Sequence, residues 1–375
     1  MASMIVAGAT GAIGRTVVQY AIQQSWINRV VALTREKNIT TSNYENLFGI
    51  TIVGDAGDTH NGTENNTRNE RKGCLPSPGT ISVTPAEAAK INPIAIDWEA
   101  FTQLWATTRN SGSAAATAVT DPMEQYKHIF SGHMYAAMCL GTTRKDAGSA
   151  EGFMRCDYDY VMAFTEALLM YSAPAGLAPD TIFMRHIGDK GLSKHAHVQQ
   201  GVGADENAAQ SSRTLRVLCQ VSSSGACSSS WFLYLKTKGI ADDSTVERVY
   251  AHNKHITATD TPPSVNLVLL RPGPLDRHGK TRGNERFIKL IVSSLPVETC
   301  GAAIISACKH LPAQKSARQA ADDTEATDEQ KTWMGKPYMA TKLLHKAGMP
   351  LNEPLSFIYE ANNSAIKEMA SRLAT

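Results

Sequence analysis

The sequence predicts an α/β fold built on a doubly wound parallel sheet, and three observations carry that prediction. A short apolar run, Met4–Ala7, stops at a glycine turn, and the turn opens a helical segment from Gly11 to Gln23. A second buried strand, Arg29–Thr34, follows at once and completes the strand, turn, helix, strand order of a βαβ unit. Further strand-length apolar runs recur down the chain, several of them followed by helical segments.

The remaining elements follow in order. Pro93–Ile96 reads as a strand and Asp97 to Trp105 as a helix. Tyr135–Leu140 (YAAMCL) is a strand ending in Gly141-Thr142-Thr143, followed by a helix over Phe153–Met170. Leu215–Val221 is a strand closing on serines, and Trp231–Tyr250 is a helix. Val265–Leu270 is a strand closing on Arg271-Pro272-Gly273, and Ile358–Leu373 is a final amphipathic helix. Four blocks between these elements, 51–90, 106–129, 171–212 and 311–332, are irregular, polar or Ala-rich, and read as surface insertions. The first is opened by a short strand at Ile50–Val53. The expected organisation is a single domain over residues 1–375 that carries these insertions, without internal repeats.

Composition narrows the function classes. The 375 residues carry 37 Lys and Arg against 35 Asp and Glu, a formal charge of +2, with 42% apolar and 19% charged residues. This balance excludes collagen-like, coiled-coil and fully disordered chains, and no direct nucleic-acid binding is expected. The seven cysteines include no C-x-x-C pair, so neither a disulfide framework nor a zinc ribbon is expected, and a reducing compartment is. No apolar run reaches membrane-spanning length, and no cleavable targeting signal is expected. The reading is cytoplasmic or mitochondrial.

Gly8-Ala9-Thr10-Gly11-Ala12-Ile13-Gly14 is a G-x-x-G-x-x-G pattern between a strand and a helix, with a second strand some 20 residues on. The first glycine permits a sharp turn, the second lets backbone approach a pyrophosphate, and the third lets helix pack on strand. The helix N-terminus attracts the phosphate charge. The fold expected is therefore Rossmann-type, with a bound nicotinamide dinucleotide. At the end of the second strand stands Arg35, which suits the 2′-phosphate of NADP(H). Glu36 competes as an acid, and Arg15 is a further candidate cation.

Tyrosine and lysine four residues apart share a helix face, where the ammonium favours the phenolate and so equips the tyrosine for proton transfer. The chain has three such pairs, Tyr234/Lys238, Tyr250/Lys254 and Tyr338/Lys342. Only the first follows a strand ending in serines, Ser222-Ser223-Ser224, one of which can stabilise charge on a substrate oxygen. The other two read as surface helix pairs.

In three long blocks the chain resembles the atypical short-chain dehydrogenase/reductases of the Tat-interacting-protein oxidoreductase family. These are HMYAAMCLGTTRKDAGSAEGFMRCDYDYV from His133, SSSGACSSSWFLYLKTKG from Ser222 and LLRPGPLDR from Leu269, with SSLP at Ser293–Pro296. The resemblance implies an extended-type Rossmann fold that binds NADPH. It implies Gly8, Thr10, Gly11, Ile13 and Gly14 as the pyrophosphate turn, Arg35 at the 2′-phosphate and Asp97 beside the adenine, with Asp55 as a rival. It implies Leu140, Gly141 and Thr142 on the nicotinamide side, Ser223, Tyr234 and Lys238 as the catalytic set, and Pro272 and Gly273 behind the nicotinamide ring. Ser222 and Ser224 stay open as alternatives to Ser223. Where many short-chain dehydrogenases place an asparagine to order a relay water, this chain has Asp157, a charged acceptor.

Two functions follow. One is an NADP-dependent oxidoreductase moving a hydride to or from a small carbonyl or alcohol. The other is a non-catalytic NADPH-binding scaffold subunit whose insertions pack on protein partners. No metal is expected at His195 and His197, which lack a completing ligand set. Trp98, Trp105 and Trp231 read as core or pocket wall, and Cys227 as a thiol near the active-site loop.

Overall fold

The computed structural model describes residues 2–53, 79–110, 124–171, 215–257, 265–277, 294–311, 333–341, 344–345, 348–350 and 353–373. The central sheet has eight strands. In spatial order they are β11 (Lys336–Met339), β12 (Pro354–Ala361), β8 (Asn266–Leu270), β7 (Val217–Val221), β6 (Tyr135–Met138), β1 (Ala2–Ala7), β2 (Ile27–Thr34) and β5 (Ile91–Ala95). Every neighbouring pair is parallel except β11 with β12. This is the Rossmann-type doubly wound sheet that the sequence predicts.

Alternation along the strands builds two cores. Met4 and Val6 face one side of the sheet, Ile5 and Ala7 the other. The first face is covered by α1 (Ala12–Gln23), α9 (Val297–His310) and α10 (Asn363–Leu373), through Val17, Ile304 and Met369. The second is covered by α4 (Trp98–Asn110), α5 (Glu124–Phe130), α7 (Tyr160–Tyr171) and α8 (Leu233–Thr257), through Phe101, Phe130, Phe164 and Val246. The strands are buried on both faces, which is why they read as continuous apolar runs.

Several boundaries differ from the sequence reading. Strand β6 stops at Met138, leaving Leu140 in the loop, and α8 starts at Leu233 and runs past Tyr250. Ile358–Ala361 is strand, and only the part after Asn362 is helical, because the Asn362 side chain accepts the Ala365 N–H at 3.1 Å and caps α10. The helix expected over Phe153–Met170 is broken into α6 (Ala150–Met154), a π turn over Arg155–Asp159, and α7. In the block 51–90, the short strand at Ile50–Ile52 (β3) pairs in parallel with Ile81–Val83 (β4). The block 106–129 is helical at both ends. Residues 54–78, 111–123, 172–214 and 312–332 lie outside the described residues, and with them Asp55, His195 and His197.

Candidate active site

The loops that leave the C-terminal ends of the parallel strands carry nearly all the sequence-predicted residues. Gly8–Gly14 follow β1, Arg35 follows β2, Asp97 follows β5, Leu140–Thr142 follow β6, Ser223 follows β7 and Pro272–Gly273 follow β8. The strand order reverses beside β1, with β2 and β5 on one side and β6, β7 and β8 on the other. Such a switch point opens a crevice suited to a dinucleotide.

The glycine turn is shaped by two close approaches. Gly8 has φ of +73°, and a Cβ there would lie 2.8 Å from the carbonyl oxygen of Cys139. A Cβ on Gly14 would stand 2.1 Å from the Gly8 oxygen, so only glycine lets α1 start this close to the turn. Gly11 is the N-cap of α1, and no side chain caps the helix there. Thr10, Gly11 and Ala12 are exposed. The open backbone and uncapped helix N-terminus fit a pyrophosphate. Arg15 does not join this surface: its Nη2 donates to the carbonyls of Glu45 (2.9 Å) and Asn46 (3.3 Å).

Beyond the turn, a cleft of about 700 Å³ opens between the ends of β2 and β5 and the π turn. Arg35, Asp97, Trp98, Thr142, Arg155 and Tyr160 line it, and Glu36 does not. Arg35 is exposed and forms no ion pair among the described residues. Asp97 accepts the Ala100 N–H at 3.1 Å and so caps α4. The Trp98 ring stacks on Tyr160 with centroids 5.8 Å apart. Glu99 accepts the Tyr160 hydroxyl at 2.8 Å and pairs with Arg155. Hydrogen bonding from Tyr160, with Arg155 beside it, holds the Glu99 carboxyl below its usual range. Of this wall, sequence reasoning singled out Arg35, Asp97 and Thr142, and read Trp98 as core or pocket wall. Glu99, Arg155 and Tyr160 converge there because of the π turn, which has no clear sequence signature.

At the other end, Tyr234 sits in the first turn of α8 with 41% exposure, its ring 5.9 Å from Phe153. Lys238 lies one turn on and is 7% exposed, and its Nζ stands 2.8 Å from Oδ1 of Asp157, which is fully buried. Asp157 Oδ2 accepts the Thr142 N–H at 2.9 Å. A Cβ on Gly141 would lie 3.5 Å from Lys238 Nζ, so Gly141, Thr142, Asp157 and Lys238 meet at one point. Burial pulls the Lys238 pKa down, but the neighbouring charge of Asp157, then Tyr234, outweighs it, and the net shift is upward. Asp157 is thus buried, with one oxygen against the lysine and the other holding the loop.

The serines divide. Ser222 is buried and donates to Asp242 Oδ2 at 2.7 Å. Asp242 also takes Gln220 Nε2 at 3.0 Å and Arg271 Nη2 at 2.9 Å, and Arg271 reaches on to Glu360 at 3.0 Å. Ser223 is half-buried, and its Oγ donates to the Ser224 carbonyl at 3.3 Å. Among the described residues no hydrogen bond joins it to Tyr234. The Ser224 N–H donates to the Pro272 carbonyl (2.8 Å), which joins the β7 and β8 loops, and the Gly273 N–H donates to Asn363 Oδ1 (2.8 Å), which ties the β8 loop to the start of α10. Sequence reasoning missed Gln220, Asp242 and Arg271. It also missed Gly239, where a Cβ would meet the Cys227 carbonyl carbon at 2.2 Å and push α8 off its loop.

Two further expectations are corrected. Tyr338 is not on a helix. It lies in β11, buried, and donates to Asp243 Oδ1 at 2.8 Å, while Lys342 lies outside the described residues. Trp98 and Trp105 are core, but Trp231 is 99% exposed, because α8 starts two residues later and leaves it in the loop. Cys227 is exposed, its thiol lowered by hydrogen bonds from Ser229.

Over 46 residues the chain is 46% identical to protein HTATIP2 of Rattus norvegicus, in a match that takes in 12% of this chain and spans 19% of that relative's length. The chain resembles the atypical short-chain dehydrogenase/reductases. It superposes with a TM-score of 0.41 on a 3-oxoacyl-acyl-carrier-protein reductase from Brucella melitensis, at 11% identity over 82% of this chain and 89% of that one. The TM-score is 0.40 against a UDP-glucuronic acid 4-epimerase from Bacillus cereus in complex with NAD, at 10% identity over 99% and 95%. No protein-family profile matches the chain. No helix among the described residues is long and apolar enough to cross a membrane, and no cluster of three metal-ligating side chains occurs among them.

Proposed function

We propose that this protein is an NADPH-binding oxidoreductase of the short-chain dehydrogenase/reductase type, acting on a small carbonyl or alcohol. The observation that carries the reading is the convergence, at the C-terminal ends of the parallel strands, of an open glycine turn, an Arg35 with no ion pair among the described residues, and the half-exposed Tyr234 above a buried Lys238. When bound, a reduced nicotinamide supplies a hydride. Gly8 to Gly14 hold the pyrophosphate, Arg35 meets the 2′-phosphate, and Asp97 stands by the adenine. Leu140, Gly141, Thr142, Pro272 and Gly273 flank the nicotinamide. Tyr234 then gives its proton to the substrate oxygen, Lys238 supports it electrostatically, and Ser223 holds that oxygen.

The test is a carbonyl screen with NADPH, followed by Tyr234→Phe. Phenylalanine keeps the ring contact with Phe153 and removes the proton, so turnover should fall by about 10²–10⁴-fold with cofactor affinity unchanged. A variant turning over at the wild-type rate rejects the reading.

A further inference from the structure

We propose that Asp157 is a positioning residue: the counter-ion that keeps the buried Lys238 charged and fastens it to the loop after β6. The geometry is that of a built pair. Both side chains are removed from water, at 0% and 7% exposure, with Nζ 2.8 Å from Oδ1. Among the described residues that oxygen has no hydrogen-bond partner, so the ion pair is its compensation. The second oxygen is fixed by the Thr142 N–H. The π turn over Arg155–Asp159 widens the helix where Asp157 stands, and the carboxylate is buried beneath Gly141.

Other groups face the ammonium too. Tyr234 and Asp242 come from its own helix, Cys156 from the π turn and Cys139 from the end of β6. Asp242 is committed to Arg271, Ser222 and Gln220, and both thiols are pushed up by burial, so Asp157 is the principal counter-charge. An ammonium buried without a partner gives up its proton more readily, and a neutral amine cannot support a phenolate. The effect on turnover rests on the reading of Tyr234 and Lys238 given above, but the electrostatic relation does not.

The experiment is chemical denaturation of the protein without cofactor, from pH 7 to pH 10. It compares wild type, Asp157→Asn and the double variant Asp157→Asn/Lys238→Met. Asparagine keeps the volume and an acceptor for Thr142, and replaces the charged oxygen that faces Lys238 with a neutral amide NH2. The single variant should be less stable than wild type near pH 7, and the deficit should shrink toward pH 10 as its orphaned lysine deprotonates. The double variant should recover stability at pH 7, because removing both charges leaves no unpaired ion. If the single variant does not fold, recovery of a folded double variant carries the same meaning. A deficit that is constant across pH, or no recovery in the double variant, overturns the proposal. Failure of Tyr234→Phe to slow turnover would reject the catalytic reading and leave these stability results standing.

Discussion

At Gly14 and Gly11 a single added side chain is expected to have opposite consequences. A Cβ on Gly14 would stand 2.1 Å from a backbone oxygen that cannot step aside. Gly14→Ala should therefore destabilise the fold by about 1–3 kcal/mol or more, read as a drop in Tm. At Gly11 the nearest atom is 3.2 Å away and the site is exposed, so Gly11→Val should keep the fold and lose dinucleotide binding. Circular dichroism and a binding titration should diverge for this variant. At Arg35 magnitudes decide the expected selectivity. A charge-assisted hydrogen bond to a 2′-phosphate is worth about 1.5–3 kcal/mol, but exposure weakens it. Asp97, Glu99 and Asp146 also line the cleft and offset the attraction of Lys37 and Arg155 there. The expectation is the low end, about tenfold for NADPH over NADH, falling toward parity in Arg35→Ala. Equal affinities in the wild type would remove Arg35 from the 2′-phosphate.

Strand β11 is tied to helix α8 by one polar contact whose loss should be measurable. Tyr338 donates to the buried Asp243, whose other oxygen has no hydrogen bond among the described residues, and Arg271 lies over the Tyr338 ring at 5.6 Å. Burial, with Asp243 adding to it, raises the Tyr338 phenol. Tyr338→Phe should cost about 1–3 kcal/mol of stability by leaving the carboxylate unpaired. Tyr250→Phe, on the same helix and without a hydroxyl hydrogen bond among the described residues, should change stability by less than about 0.5 kcal/mol. A Tyr338→Phe variant as stable as Tyr250→Phe would show that Asp243 finds another partner. The comparison also shows what was legible in the sequence. All three Tyr-x-x-x-Lys pairs look alike as spacing, and in the sequence only the serine-ended strand before Tyr234 sets one apart; that Tyr338 lies in a strand, buried against Asp243, was not legible there. The parallel strands and the glycine turn were legible because periodicity and glycine sterics are local properties. The Asp157–Lys238 pair and the Asp242 network were not, since they join residues 81 and 29 positions apart, as in Asp157 with Lys238 and Asp242 with Arg271. The π turn depends on packing rather than on any residue preference.

For the molecule as a whole, acid should act through His133. Its Nε2 lies 2.7 Å from the Ile129 carbonyl and its Nδ1 2.9 Å from Ser3 Oγ, so it joins β1 to the end of α5. Burial pushes its pKa down to about 4 from the usual 6.5. The folded state thus binds this proton more weakly than the unfolded chain does. Stability from this source is complete above about pH 6.5 and declines as pH falls toward 4, by at most about 3 kcal/mol. His133→Gln should flatten that limb of a denaturation curve measured from pH 7 to pH 4, and an unchanged slope would place the acid sensitivity elsewhere. The sheet itself ends on Pro93 in β5 and Pro337 in β11. The Val30 N–H reaches the Lys90 carbonyl, and the Ile96 N–H reaches that of Thr34, so the N–H groups of even-numbered residues in β5 point inward and Pro93 faces out. An outer border with a donor missing at that position is a poor template for strand addition. Pairing of a second copy's strand against β5 should therefore be disfavoured at that border.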